Sequence, residues 1–115
     1  MNLEPFCSRI KLVGLEPQIK WATSIRKKKV EAWKAMTFRH LVMATKPHLT
    51  DANFKAMGCV TDKHIIAFLW AVAKHSMSCP KAQWWMQHRD DHIASWLPHS
   101  IKECVAHFSK TKPFK

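Results

Sequence analysis

Apolar and polar positions along this chain repeat with the period of a helix and not of a strand. Across residues 18–45, Ile19, Ala22, Ile25, Trp33 and Met36 fall on one arc of a helical projection. Lys20, Lys27, Glu31 and Lys34 fall on the opposite arc, the pattern of a helix half in water. Pro17 suits the first turn of that helix, where a missing N–H costs nothing. Arg26 and Lys29 interrupt the apolar arc. Either their stems lie along apolar surface with their heads in water, or Ser24 caps a new helix whose buried face is shifted. A further boundary is expected at Thr37, and Pro47 closes the segment.

Thr50 is a good N-cap for a short helix over 51–57, with Gly58 as its left-handed stop. Thr61 caps the next helix, with Asp62 in the first turn, where the helix dipole favours an acid. This helix runs to about His75. Ile65, Ile66, Phe68, Leu69, Trp70 and Val72 cover nearly its whole circumference, which predicts a place in the middle of the fold. After Pro80 a helix is expected from Lys81 to about His88, extendable to Leu97, before Pro98 interrupts it. Ser100 is then expected to cap a last helix with Ile101, Cys104, Val105 and Phe108 on one side.

The expected architecture is an all-α single domain of five to seven helices. Its parts are an N-terminal arm (1–16), a helical domain (17–108) and a loose basic tail (109–115). Gly14 and Gly58 are the only glycines, too few for hairpin-rich β structure or a glycine-rich phosphate loop. The longest apolar run, Ile65–Ala73, is far short of the roughly 20 residues of a spanning helix. The first residues lack the order of a secretory signal, and Cys7, Cys59, Cys79 and Cys104 show no C-x-x-C spacing. Reduced thiols and a cytoplasmic, nucleoid or nuclear location, without secretion or transmembrane insertion, are therefore expected.

Charge changes the picture most. The 115 residues hold 19 Lys and Arg against 8 Asp and Glu, a formal net charge of +11. Residues 1–49 carry +7, residues 50–99 carry +1 and residues 100–115 carry +3, so the excess sits at the two ends. An excess of this size points to an anionic partner: nucleic acid, an acidic protein or an anionic membrane. The densest run is Arg26-Lys27-Lys28-Lys29. The most helix-turn-helix-like corner is at the C-terminus, built on Ile93, Ala94, Leu97, Ser100, Cys104 and Phe108. Pro98 stands where a turn glycine is common, so such a turn would need a different type. Expected nucleic-acid contacts are Arg26, Lys27, Lys28, Lys29, His99, Ser100, Lys102, His107, Lys110 and Lys112.

Two further constellations add alternatives. Cys79, His88, His92, Cys104 and His107 offer enough nitrogen and sulfur donors for a tetrahedral zinc site, although their spacing is not that of a zinc module and no cofactor is expected. Trp84 and Trp85 are adjacent, so they diverge on a helix and one of them can serve as a stacking platform or an interface anchor. Asp90 and Asp91 beside His88 and His92 supply acids and bases without a nucleophile at a motif position, and an enzyme is not expected. The leading expectation is a small nucleic-acid-binding protein, DNA ahead of RNA, acting as a transcription regulator of viral or mobile-element type. The alternatives are an inhibitor or adaptor steered to an acidic protein partner, and a matrix-like protein on an anionic membrane.

Overall fold

The computed structural model describes residues 2–114; Met1 and Lys115, the outer ends of the expected arm and tail, lie outside them. Seven α-helices are present in this range: α1 (Glu4–Ser8), α2 (Glu16–Ala35), α3 (Phe38–Thr45), α4 (Asp51–Met57), α5 (Asp62–Ser76), α6 (Ala82–Gln87) and α7 (Leu97–Thr111). Two 3₁₀ turns, Lys46–His48 and Ile93–Trp96, join them, so the fold is all-α as expected.

Several helix ends follow their capping residues. Gln18 accepts the Leu15 N–H at 3.2 Å, and Pro17 lies in the first turn of α2. Thr37 accepts the His40 N–H at 3.2 Å and starts α3. Thr50 and Asn53 cap α4 reciprocally, and Gly58 ends it at φ 74°, a conformation that costs glycine little. Ser24 starts nothing: α2 runs through it without a break to Ala35.

Three expectations are corrected. The first concerns Pro98, which does not interrupt a helix but stands in the first turn of α7, where no N–H is needed. The 3₁₀ turn at 93–96 passes directly into α7, so this region holds no turn between two helices and Ser100 is not a cap. Next, α5 is not enclosed: Lys63, Ile66, Ala67 and Lys74 are exposed along one side. Finally, the tail is docked up to its last described residue. Helix α7 continues past 108 to Thr111, Lys112 turns the chain at φ 45°, and the Phe114 ring stacks on His64 at 4.8 Å and meets Phe108 edge-on at 5.5 Å.

Helix α2 packs on α6 and the 93–96 turn, while α7 packs on α5, α4 and α3. The core is continuous between these groups, through Ala22, Val30 and Trp33 of α2, Phe68, Leu69 and Val72 of α5, Trp85 of α6 and Leu97, Ile101 and Cys104 of α7. The N-terminal arm belongs to it as well, since Leu3 and Cys7 are buried. The arm also lies along α6: Val13 N–H donates to Pro80 O at 2.7 Å and Ala82 N–H to Val13 O at 2.9 Å. Gly14 fits this crossing because a Cβ there would stand 3.1 Å from that of Ala82, at a φ of +155°.

Candidate nucleic-acid interface

The basic run of α2 is divided by the helix itself. At 100° per residue, four consecutive side chains cannot share one face. Lys27 and Lys28 are exposed, whereas Arg26 and Lys29 turn inward. Arg26 donates from Nη1 to the Ile10 carbonyl at 2.8 Å, tying the arm to α2. Lys29 donates from Nζ to the Arg89 carbonyl at 3.0 Å and to the Asp91 carbonyl, with the Trp96 ring centroid 5.5 Å away. Both cations complete backbone hydrogen bonding of the fold, which withdraws them from the role of phosphate contacts. The first alternative for the interrupted arc is therefore correct in part: the stems lie inward, and the heads bind backbone carbonyls.

What remains outside on α2 is more regular than the tetrad. Lys20, Lys27 and Lys34 are all exposed and seven residues apart, which places them on one line of the helix at about 10.5 Å intervals. Lys28 stands beside this line, and Glu16 and Glu31 interrupt it. The salt bridges among the described residues are His88–Asp91 and Arg89–Asp90, so neither glutamate is in ion-pair contact with these lysines, and four lysines against two glutamates leave the face net positive. On α7, His99, Lys102, His107 and Lys110 are exposed on the side away from Leu97, Ile101 and Cys104, and Lys112 is exposed at its end. Ser100 is the exception. It is 2 % exposed, with Oγ 3.1 Å from His75 Nδ1 and accepting from Ser76 Oγ at 2.8 Å, and no phosphate can reach it. The helices that carry these two basic faces, α2 and α7, each pack on the 93–96 turn.

A second polar cluster lies where α5, α6 and α7 meet. His75, Ser76, Cys79, His88, His99 and Ser100 line a cleft of about 380 Å³ with Trp84 and Trp96, and no lysine or arginine enters its wall. Burial, then the neighbouring His99, holds the His75 imidazole below its ordinary pKa, with Glu103 acting in the opposite direction. Asp91 accepts from Trp96 Nε1 at 3.1 Å and lies 2.6 Å from His88 Nδ1, and these two bonds hold its carboxyl below the usual range. Asp91 thus closes a network of Lys29, His88 and Trp96 that fixes the 88–96 segment on α2.

The expected zinc set is not assembled. Cys79 and His88 line the cleft, His92 accepts the Ala94 N–H, and His107 is exposed on α7. Cys104 is buried in the core, where desolvation and then Glu103 push its thiol up to about 11. No group of three His, Cys, Asp or Glu side chains among the described residues is placed to hold a metal ion.

The aromatic expectation also moves. Trp85 is fully buried and donates from Nε1 to the Cys79 carbonyl at 2.8 Å, while Trp84 is half-buried between Trp85, His88 and Trp96. Neither is an open platform. Trp21 of α2 is instead 62 % exposed beside the lysine row. The sequence held that signal, because Trp21 falls outside the arc of Ile19, Ala22, Ile25, Trp33 and Met36. Comparison with known protein families, curated proteins and solved structures finds no match to this chain.

Proposed function

We propose that this protein binds nucleic acid through phosphate contacts, led by the exposed lysines of α2 and assisted by those of α7. One observation carries the reading: Lys20, Lys27, Lys28 and Lys34 stand outward on one 20-residue helix without carboxylate partners. Each such lysine that meets a phosphate releases a condensed counterion, so affinity gains an entropic, salt-dependent component. The α7 side chains His99, Lys102, His107 and Lys110 offer a second contact surface.

Selection of one DNA sequence by a regulator needs a recognition helix that projects into a groove. The direct passage from the 93–96 turn into α7 favours a different emphasis, phosphate-led binding with little sequence choice. A buried Trp85 and a half-buried Trp84 take away the anchor on which the acidic-protein alternative relied.

The test is a fluorescence-anisotropy titration of a labelled oligonucleotide over a series of salt concentrations. The expected result is a linear fall of log affinity with log salt, at a slope near −0.7 to −0.9 per lysine–phosphate contact. Affinity independent of salt would overturn the proposal.

A further inference from the structure

We infer that the α2 face is a site for single-stranded nucleic acid, in which an unpaired base stacks on the Trp21 indole while neighbouring lysines hold its backbone phosphates. The inference rests on the phosphate-binding reading and names the class of strand that reading left open. Its starting point is the contrast among the tryptophans: Trp33 and Trp85 are 0 % exposed and Trp96 is 9 % exposed, whereas Trp21 presents most of its ring to solvent.

An exposed aromatic by itself needs no explanation. The surroundings of this one do the arguing. Lys28 lies seven residues on, on the same line of the helix and about 10.5 Å along its axis. Lys20 and Lys27 stand in the adjacent row, about a quarter to a third of a turn round the helix from the ring, and Ser24 lies one turn on from Trp21. A flat π surface in line with Lys28 and beside the row of Lys20, Lys27 and Lys34 has the composition of a single-strand platform: the lysines track a backbone and the ring takes a base.

The rest of the face favours stacking over the reading of base pairs. In a duplex the base π faces are stacked inside, and the most discriminating contacts to base edges come from the forked side chains of Arg, Asn and Gln in the groove. The exposed side chains of α2 between Trp21 and Ala35 are Thr23, Ser24, Lys27, Lys28, Glu31, Ala32 and Lys34, with no Asn or Gln among them. Arg26, the one arginine of the helix, is bound to the Ile10 carbonyl. This face therefore has means to stack on a base and to neutralise phosphates, and lacks the fork-shaped donors that identify a base pair. Stacking accepts every base, so the site is expected to bind single strands with little dependence on sequence.

The experiment compares the intact protein with Trp21→Ala and Trp21→Phe, using a labelled oligothymidine strand and a mixed-sequence duplex of equal length. Wild type is expected to bind the single strand more tightly than the duplex and to lose part of its tryptophan fluorescence on doing so. Trp21→Ala should weaken single-strand binding about 5- to 150-fold and leave duplex binding unchanged. Trp21→Phe keeps a ring to stack on, so it should retain much of the affinity and lose the fluorescence quench. Salt-dependent binding that Trp21→Ala leaves intact, or weakens equally for both probes, overturns this inference while phosphate binding stands. Salt-independent binding, or none, overturns both. Trp21-dependent attachment to anionic vesicles without a preference for the single strand also overturns it, in favour of a membrane surface.

Discussion

Replacing Lys29 with alanine separates a structural cation from its functional neighbours. Its ammonium group donates to the Arg89 and Asp91 carbonyls and lies 5.5 Å from the Trp96 ring centroid. A fully buried charge-assisted hydrogen bond contributes about 1.5–3 kcal/mol, and a partly exposed cation–π contact about 0.5–1 kcal/mol. Lys29 is only partly buried and water can reach its carbonyl partners, so solvent screening reduces the total to about 2 kcal/mol. For a domain of this size that corresponds to a fall in Tm of about 8 °C. Lys28, one residue away, is exposed, and its replacement by alanine should stay within about 0.5 kcal/mol of wild type. Urea denaturation followed by circular dichroism reads both variants. With oligonucleotide binding measured well below either midpoint, Lys29→Ala should keep its affinity and Lys28→Ala should lose part of it. Equal stability of the two variants, or loss of binding by a stable Lys29→Ala protein, refutes the assignment of Lys29 to the fold.

Two further outcomes follow from the core and the imidazole cleft. Trp33 and Trp85 are equally buried, but Trp33 Nε1 has no hydrogen-bond partner among the described residues while Trp85 Nε1 donates to Cys79. Trp85→Phe should therefore cost about 1–2 kcal/mol more than Trp33→Phe in urea unfolding, and equal losses would contradict the difference in bonding. His75 is held below its ordinary pKa by burial and by His99, so its neutral form favours the folded state. Stability from this group is complete above the unfolded value near 6.5 and is lost as pH falls toward the lower folded value. Urea midpoints measured from neutral to mildly acidic pH should fall, and His75→Gln should flatten that slope. An unchanged slope in the variant would remove His75 from the explanation.

Local chemistry made much of the fold legible. Thr37, Thr50 and Thr61 each start a helix and Gly58 ends one, because caps act within a few residues of themselves. The outward lysines of α2 and α7 were legible for the same reason, through helical periodicity. Lys29 was not: its partners lie 60 and 62 residues away, and no local pattern marks a carbonyl as an acceptor. The same limit explains Ser100, a good N-cap residue by type that is consumed by His75 and Ser76 from another helix. Pro98 was ambiguous by nature, since a proline that cannot continue a helix can begin one. Charge and a proline around Phe114 give the tail the composition of a loose segment, yet the ring finds His64 and Phe108.

The central claim is that the outward lysines of α2 meet phosphates, and the salt dependence of binding by a protein lacking them tests it most directly. The combined variant Lys20→Gln, Lys27→Gln, Lys28→Gln and Lys34→Gln leaves Arg26 and Lys29 in place and should fold as wild type does. Its slope of log affinity against log salt should be shallower than that of wild type by about 3, four contacts at roughly 0.7 to 0.9 each. A slope equal to that of wild type would contradict the claim.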